Sequence, residues 1–386
     1  PPEPLEEWKV PPYDGAIIDF PPYGECVVSR GIANSKGPLV CFFNTVKTIK
    51  EELGYFPLNL WFVIEGEEEM GSESLIPFTA KHANELNKCL GVYLLSARQD
   101  ENGKPFTTLG NKGILYFEME AKGAEWGGPS KLDIHGSNAA WISNPVWRLV
   151  NALSTMRDND DNILIDGFYD EVASLDEMDE YYTERMAEVL DEDMYLNKRF
   201  YATRFIHGKP GRDALRDLLW KPTLNIDGIW GGYTGPATKT IVPYHATCKV
   251  DVRLVPNMRP ERTLELIRKH LDRHGYSDII LTRRQGTPYS KVNANSSLAK
   301  ACISAMEMSG YPENTVWPIF PGSGPAYLFT DPPVNLPLVD YSLGIHGQIH
   351  APNEYFTVKG LRENELSVAA VLWNLCRVIE EEGVKK

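Results

Sequence analysis

Residues 58–72 read LNLWFVIEGEEEMGS, and the fold turns on how they are read. From 58 to 64 the chain is a nearly unbroken apolar run with a β-branched and aromatic bias, too short for a typical helix. Such a run predicts a strand buried on both faces, the kind found inside a parallel sheet. Directly after it stand Glu65, Gly66, Glu67, Glu68, Glu69, Met70, Gly71 and Ser72. Open α/β sheets place their sites beyond the carboxyl ends of strands, so four carboxylates in five residues mark a candidate site. Carboxylates this crowded raise one another's pKa unless a cation or a proton lies between them. Elsewhere such a stretch reads as a solvated acidic turn. The flanking glycines and the apolar run ahead of it weigh against that here.

Upstream, residues 1–25 are rich in proline and acids and predict an irregular surface segment. A strand at 26–30, the glycine-punctuated loop from Gly31 to Pro38 and a helix at 39–53 then lead into the run at 58, which predicts a βαβ unit. Downstream, a helix is expected at 74–90 and a short buried strand at 91–95. The character changes at Gly113. Residues 114–122, ILYFEMEAK, alternate as a strand with one wet face does. A helix at 145–156 follows, then an acidic region at 158–193 that reads as a solvated helical face with its loops. Strands are expected at 223–229, 240–243 and 245–254, with an amphipathic helix at 260–274. Helices at 295–308 and 363–381 close the chain. This order predicts an α/β body from 1–113 and 288–386, with an α+β layer inserted at 114–287.

Bulk properties exclude several functions. The chain has 386 residues, 42% hydrophobic and 24% charged, enough for two domains with a substantial core. A net charge of −14 argues against a nucleic-acid partner, because phosphate binding needs a basic face. No apolar run approaches the ~20 residues of a membrane span. Cys26, Cys41, Cys89, Cys248, Cys302 and Cys376 are scattered, with no paired short spacing, and read as reduced thiols of a cytoplasmic protein.

Several motifs together resemble the co-catalytic zinc exopeptidases that include carnosine dipeptidases, acetylornithine deacetylase and succinyl-diaminopimelate desuccinylase, the carnosinase branch most of all. The family's G-R-G-x-x-D-x-K-G-P is met by Arg30, Gly31, Asn34, Lys36, Gly37 and Pro38. Its E-G-x-E-E-x-G-S is matched by Glu65, Gly66, Glu68, Glu69, Gly71 and Ser72, and D-x-H by Asp133, Ile134 and His135. Lys239, Thr240 and Pro243, then Arg253 to Asn257, and finally His350, Asn353 and Glu354 follow in the family's order.

The resemblance implies a catalytic α/β domain with an inserted lid that forms a homodimer. It implies Glu68 as general base, Glu69 and His350 as metal ligands, and His135 as oxyanion donor, acting across the dimer. Thr240 and Arg253 would hold a substrate carboxylate, with Gly322 and Ser323 lining the pocket. The expected activity is cleavage of an amide or peptide bond in a small-molecule or dipeptide-like substrate. His346 reads as structural, and no Ser-His-Asp arrangement is present.

Departures from the family bear on the metal. The bridging aspartate falls on Asn34, a neutral residue that cannot hold two cations together as a carboxylate does. The second-metal aspartate falls near Ser96 or Ala97, with Asp100 the nearest carboxylate and out of register. The family's H-x-D motif would lie upstream of Pro1, and its R-G pair is Lys112-Gly113. Zinc or another divalent ion is therefore expected at fewer than two per protomer, or not at all. Beside the metal-assisted hydrolase stand two other readings: a metal-independent enzyme cleaving a different amide or C–N bond, and an inactive binding protein on the same fold.

Overall fold

The computed structural model describes residues 2–99, 103–310 and 315–383. Asp100 lies outside them. The Gly113–Lys122 strand carries the architecture of the inserted layer. Leu115, Phe117, Met119 and Ala121 are fully buried, while Tyr116, Glu118 and Glu120 alternate with them on the wetter face. It pairs antiparallel with His245–Leu254 along its whole length and with Ile280–Thr287 on its other side. Asn225–Gly231 forms the free edge beyond His245–Leu254. Helices Pro145–Ser154 and Pro260–Arg273 cover the apolar face, placing Leu149, Ala152, Ile267 and Leu271 in one core with Val250 and Val252. Each large side chain buried there contributes about 1.5–3 kcal/mol. The first helix is set by Asn144, whose side chain accepts the Val146 amide, with Pro145 in the first turn.

The other body holds a mixed four-stranded sheet in the order Thr315–Trp317, Phe106–Thr108, Leu338–Asp340, Val92–Leu94. Its two outer pairings are parallel, and the central contact is antiparallel. Helices Ser297–Met308, Gly37–Leu53 and Val358–Glu381 pack together on this side, the last starting five residues ahead of the expected 363.

Residues 58–64 form no strand, which corrects the reading from which the fold was deduced. The sheet ends at Val92–Leu94, so an apolar run beside that edge has cover on one side only. Leu58 and Leu60 pack toward Phe42, Val368 and Leu372, whereas Trp61, Phe62 and Ile64 are 55%, 45% and 59% exposed. The expected βαβ unit is likewise absent. Glu25–Val28 pairs with Ala16–Asp19 and Tyr355–Thr357 in a separate antiparallel sheet. A tight turn in which the Phe20 amide donates to the Gly24 carbonyl closes that hairpin, and so local a pairing wins over a crossover. The acidic stretch is not all solvated. A capping box of Asp176 and Asp179 starts helix Glu177–Glu188, and Asp179 is buried against the Lys291 ammonium.

The two bodies are joined by a short ladder in which Gly110–Asn111 pairs with Ser290–Lys291. Gly110 has φ 148°, and a Cβ there would lie 2.2 Å from the Ser290 carbonyl oxygen, so only glycine fits. Lys112 follows, 2% exposed, its Nζ donating to the Lys221 carbonyl at 2.6 Å.

No cysteine among the described residues forms a disulfide, and Cys26, Cys41, Cys248 and Cys302 are buried. No helix among the described residues is long and apolar enough to cross a membrane.

Burial, and then the charge of Arg253, pull the Lys112 ammonium from an ordinary 10.5 down to about 7, against the opposing charge of Asp217. Because the folded state binds this proton less tightly than the unfolded chain, the lysine costs stability in full below pH 7. The cost is relieved as pH rises toward 10.5. Lys112→Met should therefore compare most favourably with wild type near pH 6.5 and lose that relative advantage by pH 9.5. Melting temperatures across this range check it, and a constant difference would mean a solvated ammonium.

Candidate active site

Four glutamates crowd the 65–69 turn, and hydrogen bonding divides them. Glu65 accepts from the Ser72 hydroxyl. Glu67 accepts the Ser74 hydroxyl and, at 3.2 Å, the Ser74 amide at the entrance to helix Leu75–Leu86. Those bonds hold its carboxyl below the usual range. Both therefore have structural partners close in sequence. Glu68 and Glu69 lie on a single 3₁₀ turn that ends at Gly71, in the left-handed region at φ 99°.

Glu69 is the hub of a three-residue cluster. Its Oε1 accepts Asn34 Nδ2 at 2.8 Å and lies 2.7 Å from His350 Nε2, while Asn34 Nδ2 and His350 Nε2 are 3.4 Å apart. Glu68 stands beside this cluster. Partial desolvation of its carboxyl, then the charges of Glu69 and Glu65, raise its pKa above the usual range, against the opposing pull of His350. A carboxyl shifted in that direction takes up a proton more readily than an ordinary glutamate.

A second group lies on the inserted layer. Ile134–His135 pairs with Ile241–Val242, bringing Thr240 Oγ1 to 3.5 Å from His135 Nε2. The Ser137 amide donates to His135 Nδ1 at 3.2 Å. A neutral imidazole accepting at Nδ1 carries its hydrogen on Nε2, which makes that atom a donor.

The third group spans the two bodies. Arg253 Nη1 donates to Ser323 Oγ at 3.1 Å, and Arg253 Nε lies 3.3 Å from Asp251. Gly322 packs beside the Phe320 ring. Among the described residues, no hydrogen bond or ion pair links one of the three groups to another. Ser137 and Asp251, the partners that orient His135 and Arg253, were not singled out from sequence. Their spacing of two residues along a strand or turn is the signal that could have found them. His346 Nδ1 donates to the Gly344 carbonyl at 2.9 Å, and the ring stacks on Phe356, as a structural histidine does.

The donor set was tested against a metal. Glu69 and His350 are ligand types already within contact of one another, but catalytic zinc takes three protein ligands. Among the described residues no group of three or more His, Cys, Asp or Glu side chains gathers to hold an ion. At Asn34 the amide presents Nδ2, a donor, to Glu69 where a bridging carboxylate would present an acceptor. Glu69 and His350 are thus two side chains of ligand type, short of three, and with Asn34 beside them they do not fit a two-ion centre.

Comparison with known proteins defines the class. Residues 109–279 match the M20 peptidase dimerisation domain. A solved M20 family metallo-carboxypeptidase from Sulfolobus solfataricus superposes over 97% of this chain and 82% of its own, with TM-score 0.81 and 29% identity. The fold is thus that of the M20 peptidases, a catalytic domain with a dimerisation domain.

Among curated proteins, the Beta-Ala-His dipeptidase of Rattus norvegicus is 30% identical over 69% of this chain and 51% of its own length. The Cys-Gly metallodipeptidase of Schizosaccharomyces pombe is 30% identical over 63% and 49%. By sequence and fold alike, the chain is a relative of the M20 metallopeptidases. It spans about half the length of the curated relatives it matches.

Proposed function

We propose that this protein hydrolyses an amide or peptide bond in a small, carboxylate-bearing substrate of dipeptide kind, working as a homodimer. The observation that carries the reading is Glu68, free of structural duty and raised in pKa beside the Asn34–Glu69–His350 cluster. The relatives named as Beta-Ala-His and Cys-Gly dipeptidases support the substrate class, and the matched dimerisation domain supports the assembly.

In this reading Glu68 takes a proton from water as the oxygen bonds to the scissile carbonyl carbon. His135 Nε2–H faces the negative charge that develops on the carbonyl oxygen. The tetrahedral intermediate then collapses, the C–N bond breaks, and Glu68 returns the proton to the departing amine. Thr240 and Arg253 bind the substrate carboxylate, with Gly322 and Ser323 lining the pocket. Glu69 and His350 are the residues that would ligate a divalent ion, and such an ion would supply Lewis acidity at the carbonyl. Asn34 in the bridging place favours a second reading, a metal-independent member cleaving another amide or C–N bond.

Glu68→Gln should lower kcat by ~10²–10⁴-fold on a dipeptide panel that includes β-Ala-His and Cys-Gly, with KM little changed. An unchanged rate would place the base elsewhere.

Metal content separates the two readings. Two divalent ions ~3.5–4 Å apart need anions between them, and Asn34 offers a neutral amide. Protein saturated with zinc and then dialysed extensively should retain fewer than two ions per protomer by elemental analysis. Two tightly held ions would refute this, and full activity after chelation would favour the metal-independent reading.

Assembly is tested by complementation. If His135 acts on the partner's site, a mixture of inactive His135→Ala and inactive Glu68→Gln protomers should regain activity, because each hybrid holds one site with both residues intact. A monomer by light scattering, or no recovery after subunit exchange, would count against it.

A further inference from the structure

Loops, rather than regular elements, assemble the Asn34–Glu69–His350 cluster, and one buried carboxylate ties two of those loops together. Glu354 is 1% exposed. Its Oε2 accepts Arg30 Nη1 and the Gly31 amide, each at 2.8 Å. Its Oε1 accepts the Ala33 amide at 3.0 Å and the Asn34 amide at 3.2 Å. Arg30 reaches the other loop, where its Nη2 donates to the carbonyl of Ala351, the neighbour of His350, at 3.1 Å. The guanidinium lies over the Trp8 ring, 5.1 Å from its centroid.

The first loop turns on a glycine, which takes a left-handed conformation without strain, whereas the His350 loop holds three residues with side chains there. Gly31 has φ 81°, and a Cβ there would meet Lys36 Nζ at 3.1 Å. Gln348, His350 and Asn353 have φ of 54°, 62° and 62°, a region that L residues with side chains rarely occupy. Such conformations hold only where the surroundings over-determine them. A buried carboxylate is itself expensive unless its lone pairs are filled. At Glu354 all four donors come from the Arg30–Asn34 segment, and Arg30 extends the hold to the His350 loop. The charge is therefore spent on fixing where Asn34 and His350 stand, and a fold that needed only an anchor would be served by an apolar contact.

We infer that Glu354, with Arg30 as its arm, is the positioning residue of this site: it sets the places of Asn34 and His350 around Glu69, and hence the surroundings of Glu68, without touching substrate. The kinetic consequence rests on the hydrolase reading above, whereas the structural consequence does not.

Glu354→Gln separates the two. Its single carbonyl oxygen can serve one pair of donors, and its NH₂ then faces the other pair. The side-chain amide signal of Asn34, assigned in the ¹⁵N spectrum by its loss in Asn34→Ser, should shift, and its exchange with water should speed up. On the dipeptide panel kcat should fall about 100-fold with KM held within about threefold, the pattern of misplaced reacting groups rather than lost binding. Glu354→Asp, which keeps the charge, should recover part of both. Should Glu354→Gln not fold, Arg30→Lys keeps a cation beside Glu354 but loses the bond to Ala351, and a kcat loss of about tenfold is expected. A folded variant with an unchanged Asn34 signal and unchanged kcat would reduce Glu354 to a stability anchor and overturn the inference. If wild type turns over nothing on the panel, the hydrolase reading fails. The Asn34 signal of Glu354→Gln, or of Arg30→Lys in its place, then decides the inference alone.

Discussion

Everything the site can do depends on a crossing of two short strands. Gly110–Asn111 and Ser290–Lys291 form the ladder between the bodies, and the Lys112 amide and the Phe320 carbonyl extend it at 2.9 Å. Glu68, Glu69 and His350 belong to one body, while His135 and Thr240 belong to the other. Arg253 reaches across to Ser323. The ladder admits no side chain at Gly110 and holds a nearly dry ammonium at Lys112. A junction so tightly packed has few ways to bend, and the residues beside it decide how far the His135 group lies from the Glu68 group.

Within the first body the decisive step is a division of labour among like residues. Two of the four glutamates in the 65–69 turn bond locally, to Ser72 and Ser74, and fix the turn. That leaves Glu68 and Glu69 to face the Asn34 and His350 loops, and partial burial, then the charges of Glu69 and Glu65, raise the pKa of Glu68. The same carboxylate chemistry serves a third purpose at Glu354, where four donors from one segment fill its two oxygens. Environment, not residue type, separates the buried anchor Glu354, the hub Glu69 and the raised carboxyl of Glu68.

The inserted layer was legible because its physics is local to each strand. From Leu115 to Lys122 the sequence alternates in step with the burial seen in Gly113–Lys122, and the strand at 245–254 was read at its observed ends. The run at 58–64 was misread for a matching reason. Apolar content reports a wish for cover, and says nothing of whether a neighbouring strand provides it. Trp61 and Ile64 remain open because the sheet stops at Val92–Leu94. The glutamates after that run were singled out from the strand end as well as from the motif; the strand is absent, and Glu69 stands against Asn34 and His350. Glu354 was quoted as part of a motif without a role, because its four donors come from residues some 320 positions away. No spacing rule reaches that far.

Asn34 remains the most informative departure, because it reverses the sign of a contact. A carboxylate in its place would accept and would add a negative charge between two cations. The amide instead donates Nδ2 to Glu69 and so occupies a lone pair that an ion would need. His350 Nε2 meets the same oxygen at 2.7 Å. An ion entering here must displace both contacts, and in return it finds two ligands already competing for each other. Asn34 Nδ2 and His350 Nε2 thus converge on one oxygen of Glu69. The substitution that removes a bridging carboxylate therefore also sets a neutral donor on Glu69, next in sequence to Glu68.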